Sequence, residues 1–221
     1  MTLDTPAWTP FEDGSSPSLS DALEGAGRVV ALVVAPGADE QGWAAELALG
    51  LARGWADQGL RVVLADARAE RPTLHTELGL KNLEGLTDAL LWGASVQHVA
   101  RPLPERGFYL VTAGTAVPDG AAPLRSARWR QLCTGFQEAG VSIAVFVAGD
   151  EPGAEAVLDT ATDVVVLAAS HDDVAILVEG AADKVRAVLG RHGGPRPELA
   201  TVPAAAKGPP EATVAPDRSH R

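Results

Sequence analysis

An apolar run, Val29-Val30-Ala31-Leu32-Val33-Val34, leads into Gly37-Ala-Asp-Glu-Gln-Gly42-Trp43-Ala44, and an Ala/Leu-rich stretch of helical composition follows. Strand, glycine loop and helix in that order are the layout of a phosphate-binding loop. In such a loop backbone N–H groups cradle phosphates, a lysine reaches the outer phosphates, and a Ser or Thr hydroxyl holds magnesium. Here the charge chemistry is missing. Trp43 and Ala44 stand in the Lys and Ser/Thr places, and Asp39 and Glu40 put negative charge where a helix N-terminus should attract an anion. Shifting the frame to fit the helix length brings Ala44 and Ala45 to those places and still supplies no lysine. The vestigial loop is therefore assigned to Gly37, Gly42, Trp43 and Ala44, with Asp66 at the end of the next strand.

Other reactive groups read more plainly. Arg68 and Arg71 could contact an anion or an interface; the alternative is that they are solvated or paired with Asp66 and Glu70. His171-Asp172-Asp173 offers three metal-ligand types in a row, but with Ser170 these residues precede a helical pattern and suit its capping. Cys133 is the single cysteine and falls on an amphipathic helical stretch, where a buried, inert thiol is expected. No histidine spacing, Gly-x-Ser-x-Gly elbow or paired-cysteine motif points to a metal site or a nucleophile. Trp43, at the mouth of the loop, either fills nucleotide space or packs on its neighbours.

The elements that must position these residues alternate. Apolar, β-branched runs predict strands at 28–35, 61–65, 108–112, 141–147 and 163–168, and helical patterns fit 43–58, 85–92, 124–138, 153–160 and 172–190. Near-continuous apolar strands separated by helices indicate a mostly parallel sheet covered on both faces, an α/β three-layer α/β/α sandwich. Residues 1–20 read as a flexible N-terminal arm carrying Trp8 and Phe11, 21–191 as one domain, and 192–221 as a disordered Pro/Ala-rich tail. A net charge of −11 excludes a nucleic-acid groove, which draws its affinity from clustered Lys and Arg. No apolar run reaches the length of a membrane span, and the N-terminus lacks the pattern of a signal peptide, so a cytoplasmic location is expected.

Five segments follow one another in order: the loop region, Asp66-Ala-Arg68-Ala-Glu-Arg71-Pro72-Thr-Leu74-His75, Gly85-Leu86-Thr-Asp-Ala-Leu90-Leu91, Phe108-Tyr-Leu-Val-Thr-Ala113-Gly114, and Ser126-Ala-Arg-Trp129-Arg-Gln-Leu132. Together they resemble the ParA/MinD-like P-loop ATPases, and within them the cytoplasmic ATPase domain of bacterial tyrosine kinases that accompany polysaccharide co-polymerases. The resemblance implies a P-loop NTPase-like fold over roughly residues 28–170. It also implies a nucleotide site at the loop, and pairing of subunits across that site.

The departures fall where catalysis needs matches. The family's second acidic position in the Asp66 motif is Arg68, and Ala148 stands where a metal-organising Asp is expected before Pro-Pro, with Asp150 two residues on. Tyr109 is the only tyrosine, so the tyrosine cluster that such kinases phosphorylate is missing. Phosphoryl transfer depends on positioning and electrostatic stabilisation, so these losses remove most of the available acceleration. The expected protein is a catalytically degenerate scaffold or regulatory partner, in the setting of exopolysaccharide or capsule assembly at the cytoplasmic face of the membrane. It would need no cofactor, bind ATP weakly at most, and form a homodimer or a heterodimer with a related ATPase, with a membrane co-polymerase as a further partner. The alternative is an active, atypical ATPase or kinase whose missing lysine is supplied from elsewhere.

Overall fold

The computed structural model describes residues 8–11, 25–36, 38, 42–168 and 181–191. Gly37, Asp39, Glu40, the 170–173 cluster and the 192–221 tail lie outside them. Among the described residues, eight strands form one sheet in the order β1-β8-β7-β2-β6-β3-β5-β4. The central strands are β2 (Val29–Val34), β3 (Val62–Asp66), β5 (Phe108–Val111), β6 (Ser142–Ala148) and β7 (Asp163–Leu167), each where its apolar run predicts. Their side chains are buried on both faces, apart from Tyr109, which is half exposed on β5 near the sheet edge. That is the burial expected when helices cover a parallel sheet on both sides.

The covering helices include α1 (Trp43–Asp57), which packs on β3 and β5, α5 (Ala127–Glu138) on β6, and α6 (Ala154–Thr160) on β2 and β6. Short helices α2 (Leu74–Glu77), α3 (Val96–Val99) and α4 (Ala122–Arg125) fill the connections. The expected helix over 124–138 is two, because Ser126 is extended (ψ 147°) and breaks the run between α4 and α5. The helix expected over 85–92 is present over 86–92, and its last five residues, Asp88–Trp92, are wound as a π-helix. Gly85 itself is held against the Thr112 carbonyl, with no room for a Cβ.

The sequence reading errs at the 172–190 helix. Its described part is a 3-10 turn, Ala182–Lys184, followed by β8 (Val185–Arg191), which pairs parallel with β7. Val188 and Leu189, which point to opposite faces of the strand, are both buried. Two edge strands also went unread. Trp8–Phe11, within the expected arm, is β1 and runs parallel to β8, while Arg101–Leu103 is β4, antiparallel to β5. Each carries a proline, Pro10 or Pro102, which lacks an N–H and suits a strand that ends a sheet.

At the N-terminal end of the sheet, Asp163 ties three strands together. Its fully buried carboxylate accepts from Arg28 Nε (2.8 Å) and Nη2 (2.7 Å), from Arg186 Nε (2.8 Å), and lies 2.8 Å from the Thr162 hydroxyl. Arg28 precedes β2, Asp163 opens β7 and Arg186 lies in β8, so one carboxylate fixes their relative heights.

Candidate functional site

In an open parallel sheet, ligands gather beyond the C-terminal ends of the strands. Three such ends converge here. β2 runs out at Ala35, whose N–H donates to the Leu167 carbonyl (2.8 Å), and the chain returns through Gly42 into α1. Gly42 has φ +71°, a left-handed conformation that glycine adopts without steric cost, and as the N-cap of α1 it has no side chain with which to cap the helix. Glu77 of α2 approaches this point: its Oε1 is 3.5 Å from where a Cβ on Gly42 would stand. A carboxylate therefore stands beside the turn at the start of α1, where a phosphate-binding loop would place an anion.

Trp43 is 6% exposed and belongs to the hydrophobic core, and Ala44 and Ala45 are buried with it. Neither candidate frame for the loop places a polar side chain at the start of α1. The positions that would carry a lysine and a hydroxyl are instead packing positions.

Beyond β3, Asp66 is wholly buried and its carboxylate is committed to the backbone. Oδ1 accepts from Arg68 N–H (3.2 Å), and Oδ2 accepts from Thr73 N–H (3.0 Å) and Leu74 N–H (3.1 Å). Asp66 thereby stands in for the missing cap of α2, whose own N-cap residue, Thr73, makes no side-chain bond to it. Burial pushes its carboxyl up to about 6, against the opposing pull of these N–H groups and of Arg68. Behind it, a void of about 10 Å³ bordered by Ala67, Leu86, Ala113 and Leu124 holds one water at most.

Arg68 is not a solvated arginine. It is 0% exposed, its guanidinium lies 5.4 Å from the centroid of the Phe146 ring, and Nη1 donates to Thr73 Oγ1 at 3.4 Å. Phe146 is the β6 residue paired with Asp66, so the chain turns after β3 and lays Arg68 across the adjoining strand. Arg71 pairs with Asp150 (3.1 Å) on the surface, not with Asp66 or Glu70. Asp150 is thereby turned toward solvent, and Ala148 ends β6 without a carboxylate.

The acid that does point inward is one that sequence reasoning missed. Glu151 is 4% exposed, and its Oε1 accepts from Glu70 N–H at 3.1 Å. Its Oε2 is buried without a hydrogen-bond partner. Burial raises its carboxyl, while Arg68 and Arg71 oppose the rise. No motif marks Glu151. The only signal is that a second acid follows Asp150 at the end of a strand.

The other candidates fall apart from this cluster. Cys133 is buried and its thiol is pushed up to about 11 by burial, the inert state expected of it. Among the described residues no group of three His, Cys, Asp or Glu is placed to hold a metal ion. A wide groove of about 810 Å³ lies further out along the sheet, past the end of β5, lined in part by Glu84, His98, Arg101 and Thr115. Its Glu84–His98 pair (2.8 Å) is solvent-exposed. No helix among the described residues is long and apolar enough to cross a membrane.

No protein-family model matches the chain. Over 82 residues it is 37% identical to the tyrosine-protein kinase YwqD of Bacillus subtilis (strain 168), a match covering 37% of this chain and 34% of the relative. It thus spans about a third of that relative's length. Among solved structures, the chimerical protein CapA2B2 superposes with a TM-score of 0.66 at 21% identity, covering 78% of this chain and 79% of that one. The kinase domain of Escherichia coli tyrosine kinase ETK gives 0.65 at 16% identity, over 82% and 74%. The Pyrococcus furiosus cell division ATPase MinD gives 0.55 at 17%, over 75% and 70%. In fold, the chain is similar to these neighbours, which include a bacterial tyrosine kinase domain and a MinD cell division ATPase.

Proposed function

We propose that this protein is a catalytically silent P-loop ATPase-like subunit, a scaffold or regulatory partner and not a turnover enzyme. The observation that carries this reading is the state of Asp66. The single acid kept from the family's motif is fully buried, and its two oxygens are spent on three backbone N–H groups. A divalent ion does not fit this donor set. Asp66 has three of its roughly four lone-pair sites taken by backbone N–H groups, Arg68 adds positive charge beside it, and Ala148 offers no ligand. A cation and a metal are what stabilise the charge that spreads over a transferring phosphoryl group.

The setting follows from resemblance. The relatives are tyrosine kinases and ATPases, and a MinC:MinD cell division complex is among the similar structures. We place this chain at the cytoplasmic face of a membrane, in exopolysaccharide or capsule assembly, paired with a second copy or with an active ATPase relative. Such a subunit keeps its surfaces after the chemistry is lost.

The alternative, an atypical ATPase or kinase whose cation comes from elsewhere, differs in one outcome. Phosphate release from ATP with magnesium, assayed on the full chain, is expected to stay at the buffer background. Sustained, magnesium-dependent release would establish the enzyme reading instead.

A further inference from the structure

The described sheet ends at β4, and beside that edge lie two hollows bounded by the same two stretches of chain. One, of about 300 Å³, is lined by Leu78, Leu80, Leu103 and Pro104, and the other is the groove of about 810 Å³, bordered by Asn82, Leu83 and Arg101. Residue numbers rise along the first stretch, 78–84, as they fall along the second, 106–101, so the hollows follow one another along β4. Arg101 and Leu103, two apart on the strand, share one face of it.

The inner wall of the larger hollow is fixed. Asn82 Nδ2 donates to the Gly114 carbonyl (3.0 Å) while its Oδ1 accepts from Gly114 N–H (2.8 Å). Behind it, the Asp88 carboxylate accepts from Gly85 N–H (2.8 Å), Thr115 N–H (3.0 Å) and the Thr115 hydroxyl (2.7 Å). The wall is preorganised but spends its own polar groups, so recognition falls to the side chains around it. Pro102, at the centre of β4, has no N–H to offer an added strand.

Those side chains are aliphatic or cationic. Leu83 is 59% exposed, beside a hollow already lined by leucines at its other end. Among the described residues Lys81, Arg101 and Arg106 make no ion pair. Burial and the neighbouring Arg53 hold the Arg106 guanidinium below its ordinary range, with Glu105 opposing. Of the two acids on the walls, Glu84 is already engaged by His98 (2.8 Å). Cations in excess on an apolar groove are the local opposite of a chain whose net charge is −11.

We propose that this groove binds an extended, acidic, leucine-bearing segment of a partner protein, its aliphatic side chains against Leu78, Leu80 and Leu103 and its carboxylates against Arg101 and Arg106. The second wall, Arg101 to Arg106, matches a segment of about six residues. Small-molecule sites enclose most of their ligand, whereas these hollows lie open along an edge and suit a chain laid along them. The proposal goes beyond the reading of a silent subunit and is tested without nucleotide, so either can fail without the other.

Fluorescence anisotropy with a labelled peptide, Leu-Asp-Leu-Glu-Leu-Asp, decides it. Saturable binding at submillimolar protein is expected, weakened about tenfold or more by Arg101→Glu. Should thermal melting show that variant to be destabilised, Arg106→Glu, on the turn beyond the strand, takes its place. Arg130→Glu makes the same change of net charge on the exposed face of α5, outside both hollows, and should leave binding as it is. An equal loss in Arg130→Glu would reduce the effect to overall charge and overturn the proposal. Equal binding of Ser-Asp-Ser-Glu-Ser-Asp or Leu-Lys-Leu-Lys-Leu-Lys would overturn it as well, and so would no binding of the acidic leucine peptide. Phosphatidylglycerol vesicles that hold the wild type but not Arg101→Glu, with the peptide inert, would make the groove a membrane contact. A dimer in sedimentation that Arg101→Glu dissociates would make the occupant a second copy, and either result also overturns the assignment.

Discussion

Replacing Trp43 with alanine is expected to cost about 3–4 kcal/mol of stability and to confer no affinity for ATP. The indole belongs to the core and is 6% exposed, at the first turn of α1. Truncating it leaves a cavity inside the packing beneath the loop. The loop would gain neither a lysine nor a hydroxyl, because Ala44 and Ala45 are buried beside it. Urea unfolding of the variant gives the first quantity, and calorimetric titration with ATP the second. Near-wild-type stability together with a new ATP site would show instead that the indole had been occupying nucleotide space.

Asp163→Ala is expected to be of similar size, about 3 kcal/mol by urea unfolding at neutral pH. The carboxylate is fully buried, whereas Arg28 and Arg186 each keep part of their side chain in water. The variant therefore leaves two cations that solvent can still reach, which keeps the loss at the lower end for a broken buried pair.

The pH dependence fixes the sign. Burial pushes the Asp163 carboxyl upward, but hydrogen bonds from Arg28, Arg186 and Thr162 outweigh it and hold the group below its ordinary 3.8. A depressed carboxyl stabilises the fold above its unfolded value and loses that contribution as the pH falls through its folded value. The gap between wild type and Asp163→Ala should stay open down to about pH 4 and close below it. A gap that widened with acid would contradict the assignment.

The sequence carries the sheet core well, for a physical reason. Runs such as Ile143-Ala-Val-Phe-Val147 are apolar without alternation, which only a strand covered on both faces requires. The same property hid β8. Val185-Arg-Ala-Val-Leu189 continues a stretch whose spacing also suits a helix, and only its neighbour β7 decides between them. β4 is three residues long and centred on Pro102, too short for any period to show.

At the site, motif order placed Asp66 at the end of a strand and Gly42, Trp43 and Ala44 at the start of a helix, which is where they lie, while Gly37 is outside the described residues. Their roles were not legible. That Asp66 holds α2 depends on Thr73 and Leu74 folding back onto it, and that Arg68 is buried depends on Phe146 lying on the adjoining strand. Glu151 was missed for the same reason. The N–H it accepts from, that of Glu70, comes from another strand end about eighty residues away in sequence.

The most direct measurement is isothermal titration of this 221-residue chain with ATP in the presence of magnesium. The expected result is no saturable heat at millimolar nucleotide, and the same trace when EDTA replaces magnesium. Stoichiometric, magnesium-dependent binding in the micromolar range would contradict the claim that this fold has lost the cation and the metal grip that nucleotide handling needs.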